Sequence, residues 1–280
     1  MTTAAAPAPP LSPTAPLART YGRVLSLCEA LDARLVDAHP QGRPDGASLA
    51  RDEEVLDAWI AAEAARVRAR HGHEPRHDVA ASRTLHTYLW SVSLLISGPW
   101  YLERRVPRLA PHEVALDLAG DVLEIVPGTD FACLPDDPAA SAPGARVVAH
   151  EEALRAELRS AVADHVRPLL TAVGPRVRRG ARALWGMVSD DLVSAIWHVG
   201  RVLGEERHAA GEATRVLPEP VRPFPGGAAF RELPGTEGRS HLTRTRLGCC
   251  MYYTLAAAEA CVTCPRTCDT ERLRRLEETD

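Results

Sequence analysis

Cys249, Cys250, Cys261 and Cys264 fall within "GCCMYYTLAAAEACVTCP" (residues 248–265), and thiols gathered this densely are the residues of the chain best placed to do chemistry. Cys261-x-x-Cys264 is the common turn that lets two thiolates face one metal or cluster. Cys249 and Cys250 must then supply the other side, across an intervening Tyr-rich loop. Four thiolates in one local segment make a complete ligand set. Three chemistries compete on spacing alone. Structural zinc usually draws its sulfurs from two CxxC-like knuckles, and an adjacent Cys-Cys pair suits that poorly because successive side chains diverge. A two-iron cluster accepts the pair more readily, since its ligands serve two separated iron atoms. A thiol-disulfide site would need only Cys261 and Cys264 and leaves the pair unexplained. Spacing favours iron-sulfur over zinc, and zinc over redox thiols.

The chain holds seven cysteines. An odd number cannot pair fully within one chain, and the N-terminal "MTTAAAPAPPLSPTAP" has neither the basic start nor the apolar core of a signal peptide. It reads as a disordered Ala/Pro tail over 1–16, and the protein is expected in the reducing cytoplasm, where thiols serve metals or redox chemistry rather than a disulfide framework. The longest apolar stretch, "LWSVSLLISGPW" (89–100), is short of the ~20 residues of a membrane span, so no transmembrane segment is expected. All 33 basic residues are arginine, and the net charge is −4 with no block of one sign. That argues against a nucleic-acid footprint. No Gly-rich nucleotide fingerprint and no internal repeat occurs.

The elements that must position the cysteines read as mainly helical. Apolar stripes predict helices over 17–35 (Tyr21, Val24, Leu25, Cys28, Leu31), over 48–72 with Ser48 as cap, and over 79–97 with Gly98-Pro99 as the stop. Two further long helices are expected at 151–173 and 182–205. Alternation in 113–126 around Ala119-Gly120-Asp121 predicts a β-hairpin, with short strands at 130–135 and 145–150. Residues 217–239 are dense in Pro and Gly and read as a structured loop leading to the cysteines. The fold class expected is α+β, mainly helical: long helices around a small antiparallel sheet, with an irregular C-terminal cysteine-rich, cluster-binding segment. A mainly helical core over 17–235 and a cluster segment over 236–280 follow the tail.

Other chemically capable residues have plainer readings. Cys28 and Cys133 look like buried small hydrophobes. His86 reads as a hydrogen-bonded core residue, and "HGHEPRHD" (71–78) as a polar interhelical loop rather than a second metal site. Adjacent Asp190 and Asp191 point to different faces and read as solvated. Arg244, Arg246 and Arg266 flank the cysteines, as surface residues or as cations that raise a cluster's potential; His241 is equally open. Tyr252 and Tyr253 read first as core packing and second as a shield for a cluster.

The segment "RLGCCMYYTLAAAEACVTCP" (246–265) resembles the C-terminal C-C-x10-C-x2-C signature of the FhuF-type ferric-siderophore reductases, and "ALWGMVSDDLVSAI" (183–196) is similar to the Leu-Trp-Gly helix that precedes it in that family. The resemblance implies a [2Fe-2S] cluster on Cys249, Cys250, Cys261 and Cys264. It further implies a ferric siderophore as substrate, reduced by one-electron outer-sphere transfer, and an electron-donor protein such as a ferredoxin. A zinc-stapled helical binding module, or an iron-sulfur sensor or relay in siderophore metabolism, are the competing readings. Two departures from the family pattern are "TLAAAEA" (254–260), where a Pro/Gly-rich turn is common and a more helical loop is expected, and the additional Cys268, which reads as a bystander in a terminal helix.

Overall fold

Helix α4 (His77–Glu103) is the axis of the molecule, because every residue from Ser91 to Trp100 is buried. A helix apolar all round must be enclosed. Helices α1 (Pro16–Leu27), α3 (Glu53–His71), α5 (Glu151–Val177) and α6 (Ala181–Val202) pack against it in this computed structural model, which describes residues 16–29, 31–118, 122–255 and 260–278. Two of its buried hydroxyls bond to its own preceding turn: Thr84 donates to Ala80 O at 2.9 Å and Ser97 to Ser93 O at 2.6 Å. No helix among the described residues is long and apolar enough to cross a membrane.

The helix runs through Gly98-Pro99 instead of stopping there. Pro99 forfeits one backbone bond, but the bare Gly98 lets α1 come close: a Cβ there would stand 2.9 Å from a Val24 methyl. The burial continued to Trp100 outweighs the local breaker. The first helix ends earlier than its apolar stripe predicts, since residues beyond Cys28 form strand β1 (Ala33–Leu35) along β4 (Val122–Ile125). An open strand edge offers backbone partners that helix propensity does not outbid. The region read as one helix from Ser48 is two, α2 (Gly46–Arg51) and α3. Asp45 and Ser48 form a capping box for α2, and Asp52 caps α3 by accepting from the amides of Glu54 and Val55.

The hairpin of β3 (Val114–Asp117) and β4 is antiparallel, with Val114 opposite Ile125; its Ala-Gly-Asp turn lies outside the described residues. The short strands β5 (Phe131–Cys133) and β6 (Ala145–Val147) lie in a second sheet with β2 (Val106–Pro107). Among the described residues the strands fall into three small sheets, and β1–β4 and β5–β6 are parallel pairs. Several elements escaped the sequence reading, β1 and β2 among them. Helix α7 (Glu206–Val216) follows α6, and the Pro/Gly-dense stretch ends in strand β7 (Phe230–Pro234), which forms a hairpin with β8 (Ser240–Arg244). This hairpin spans residue 235 and carries the chain from α7 to the cysteines. Helix α8 (Asp269–Glu277) closes the described chain. Cys28 and Cys133 are buried apolar residues, as expected.

A buried His165 on α5 ties the core together. Its Nδ1 lies 2.8 Å from Leu109 O and its Nε2 2.8 Å from the Tyr88 hydroxyl, the pattern of a neutral ring donating through Nδ1 and accepting from tyrosine. Burial lowers its pKa to about 4. The unfolded chain therefore binds this proton first as pH falls. The stabilisation is complete above about pH 6.5 and lost as pH drops toward 4, amounting to about 3 kcal/mol. Denaturant unfolding across that window is expected to show this loss, and His165→Gln to flatten the slope; an unchanged slope in the variant would place the titration elsewhere.

Candidate metal centre

Helix α6 brings Asp190 and Asp191 to the inner side of the cysteine segment, and both are fully buried. This corrects their reading as solvated residues, and with it that of Arg244 and Arg246 as surface arginines. Arg244 is itself fully buried; it donates through Nη2 to Asp190 Oδ1 at 2.6 Å and through Nε to Ala228 O at 2.9 Å. Arg246 donates through Nη2 to Asp191 Oδ1 at 2.5 Å, and His86 Nδ1 stands 3.0 Å from Asp191 Oδ2. Adjacent helix positions point about 100° apart, so each aspartate meets its own cation. A signal did exist in "TRTR": arginines two apart on an extended segment share one face, ready to meet an acidic pair.

Burial pushes the Asp190 carboxyl up, and Arg244, Arg246 and two backbone amides oppose that rise. Burial acts the same way on Asp191, but His86 and Arg246 hold it below the usual carboxylate range. The two amides are the point of the arrangement. Asp190 accepts from Leu247 N at 3.0 Å and from Gly248 N at 2.6 Å, so one buried carboxylate grips the backbone directly before Cys249. Gly248 has no room for a side chain, since a Cβ would stand 2.8 Å from Met187 Cγ and 3.1 Å from Met187 N on α6.

The second arm is held from α8. Arg272, 1% exposed, donates to Val262 O at 2.7 Å, Cys264 O at 3.0 Å and Thr267 O at 2.9 Å, and Arg275 donates to Ala260 O at 2.6 Å. Sequence reasoning passed over both residues. Arg272 and Arg275 stand three apart on one side of α8, eight and eleven residues beyond Cys264, a weak signal that becomes legible only once the helix folds back. Within the turn, Cys264 N donates to Cys261 O at 2.9 Å, and the arms join where Arg246 N donates to Thr263 O at 2.9 Å.

These supports bring Cys249, Cys250, Cys261 and Cys264 to line one small hollow. Desolvation pushes the Cys249 and Cys261 thiols up. The other thiols raise both further, while Arg246 draws Cys261 down. Cys261 is exposed as a residue, yet its thiol lines the hollow; Cys264 is buried, and none of the seven cysteines is in a disulfide. Tyr252 and Tyr253 also line the hollow, half-buried, with Arg83 4.5 Å above the first ring and Arg266 4.3 Å above the second. They wall the hollow rather than fill the core. Cys268 lies apart, exposed at the N-terminal cap of α8.

Residues 246–266 match the FhuF 2Fe-2S C-terminal domain. The cofactor indicated by this FhuF-type segment is a [2Fe-2S] cluster, and the match supports an iron-sulfur protein related to siderophore metabolism. No curated protein matches the chain. The donor set suits such a group on its own chemistry. Four cysteines line the hollow, the number of thiolates a [2Fe-2S] cluster takes; among the described residues no group of three or more His, Cys, Asp or Glu is placed to hold a metal ion. His86 is hydrogen-bonded as expected but borders a groove, and His241 is buried in β8. The "HGHEPRHD" stretch is an interhelical loop: His71 ends α3, Gly72 caps it with φ 74°, and His77 begins α4. The "TLAAAEA" loop falls largely on 256–259, outside the described residues.

Proposed function

We propose that Cys249, Cys250, Cys261 and Cys264 are the four cluster ligands and that the protein is a cytoplasmic ferric-siderophore reductase, recharged by a donor protein such as a ferredoxin. The observation that carries this reading is the convergence of those four thiols, and no other cysteine, on one hollow inside the FhuF-type segment. When bound, the cluster supplies a single electron that takes siderophore-held Fe(III) to Fe(II), which hard oxygen donors grip far more weakly.

The protein's own residues prepare that transfer without breaking a bond or moving a proton. Asp190 fixes the backbone before the Cys249-Cys250 pair, and Arg272 and Arg275 fix the Cys261–Cys264 turn. Arg246 carries a buried positive charge that interacts with Cys261 and Cys250, where it favours the added negative charge of the reduced state and raises the potential. Tyr252 and Tyr253 keep water from one wall.

The test is anaerobic purification, followed by iron and sulfide analysis and by mixing dithionite-reduced protein with ferric siderophores and an Fe(II) trap. Iron and sulfide in equal amounts, with Fe(II) appearing as the visible spectrum returns to its oxidised form, is the expected result. Electrons that stay on the protein would refute the reductase reading.

A further inference from the structure

The chain carries a net −4, yet the corner where α5 turns into α6 gathers positive charge at the surface. Arg167 on α5, Arg178 at its C-terminal cap and Arg182 in the first turn of α6 are exposed, and Arg179 between them is half-buried. Among the described residues no carboxylate forms an ion pair with any of the four, and the described lining of the open depression at this corner holds none. Resting on the reading of the four thiols as cluster ligands recharged by a donor protein, we propose that the donor docks on this corner and is an acidic one-electron carrier of the ferredoxin kind. The carrier gives up one electron, which the cluster takes.

Position is the first argument. Arg179 donates through Nη2 to Met251 Sδ, and Met251 N donates to Cys249 Sγ at 3.4 Å, so one side chain separates the arginines from the paired-cysteine arm. Gly186, one turn beyond Arg182, lies against Leu247: a Cβ there would stand 3.6 Å from Leu247 Cβ. Leu247 is 50% exposed and stands two residues before Cys249. An apolar contact beside charged neighbours is the usual make-up of a protein interface.

Charge is the second argument. Acids near the corner are already engaged: Asp78 accepts from Arg76 at 3.0 and 2.7 Å, and Asp164, one turn before Arg167, lies 3.3 Å from Arg108. Neighbouring Arg176 is matched by Asp57 at 2.9 Å, which sets it apart from the four. On the side of the CxxC turn the positive charge is matched too. Arg246 and His86 meet Asp191, and Arg83 approaches Glu63 at 3.8 Å. A protein of net negative charge repels an acidic carrier at long range, and a local basic field turns that encounter toward one face.

Oxidised ferredoxin binds without passing an electron, so docking can be read by itself. Calorimetric titration of the cluster-loaded protein with an acidic plant-type ferredoxin in its oxidised form is expected to give a Kd that weakens steeply with salt. Arg178→Glu combined with Arg182→Glu should weaken it by ~10-fold or more. Arg19→Glu is the control, an exposed site beside the far end of α4, where Thr20 bonds to Glu103 at 2.6 Å; it should stay within ~2-fold of wild type. The rate at which reduced ferredoxin charges the cluster should fall in parallel in the double variant, while charging by photoreduced deazariboflavin, a small neutral donor, should not change. Undetectable or salt-independent wild-type binding, wild-type affinity in the double variant, an equal loss in Arg19→Glu, or an equal fall with the neutral donor overturns the proposal. So does retention of the protein on phosphatidylglycerol vesicles with ferredoxin binding unaltered by the double variant, which would make the corner a membrane-docking surface. Ferredoxin binding as expected, in a protein that fails to reduce ferric siderophores, would uphold the docking surface and count against the reductase reading alone.

Discussion

Asp190→Ala is expected to cost about 3–5 kcal/mol of stability, because it strands the fully buried Arg244 without its counter-charge. It also frees the amides of Leu247 and Gly248, so the loss of folding stability should come with loss of iron from the Cys249-Cys250 side. Denaturant unfolding and iron content per chain read the two effects separately. Asp190→Asn keeps an acceptor for the amides but not the charge, and is expected to hold more iron than Asp190→Ala at a comparable stability loss. Adding Arg244→Leu to Asp190→Ala removes the stranded charge and should recover part of the stability without restoring the iron. If Asp190→Ala were as stable and as iron-rich as wild type, the buried carboxylate would have no part in building the site.

Serine in place of Cys249, Cys250, Cys261 or Cys264 is expected to lower single-turnover Fe(III) reduction by more than ~100-fold, beyond the ~10–100-fold typical of residues that only support a metal's ligands. The visible cluster spectrum should fall in parallel. Cys268→Ser should leave spectrum and rate unchanged, since Cys268 stands exposed at the start of α8 and its backbone carbonyl accepts from Arg272 N; serine is also a better N-cap there, by roughly 0.5 kcal/mol or more. The five variants form one comparison, with absorption, iron stoichiometry and rate measured on each. Full iron in any of the first four, or its loss in Cys268→Ser, would reassign the ligands.

How much of this was legible beforehand varied with how local the cause was. The stripes of α5 and α6 and the alternation of β3 and β4 are short-range patterns, and those elements formed where they were expected. The continuation of α4 through Gly98-Pro99 was not legible, because its cause is Val24, more than seventy residues away, lying against the bare glycine. The division of one expected region into α2 and α3 was half-legible: Asp45 and Asp52 are ordinary capping residues, but their competition with Ser48 is settled only by the packing of the two helices. The β7–β8 hairpin was hidden by Pro234, by the Pro/Gly-dense stretch leading into it and by strands too short to show a period.

The sequence by itself determined which atoms could hold a cluster, since the types and spacing of Cys249, Cys250, Cys261 and Cys264 are covalent facts that survive any fold. It also determined the helical class, since amphipathic periodicity is written locally. Tertiary structure alone decided how those thiols are held and what lies beside them. Whether an aspartate is solvated or pairs with a buried arginine depends on burial, and burial is a property of the assembled chain: Asp190, Arg244, Arg246 and Arg272 look like surface charges in a string of letters and become the frame of the site only when α6, β8 and α8 close around it.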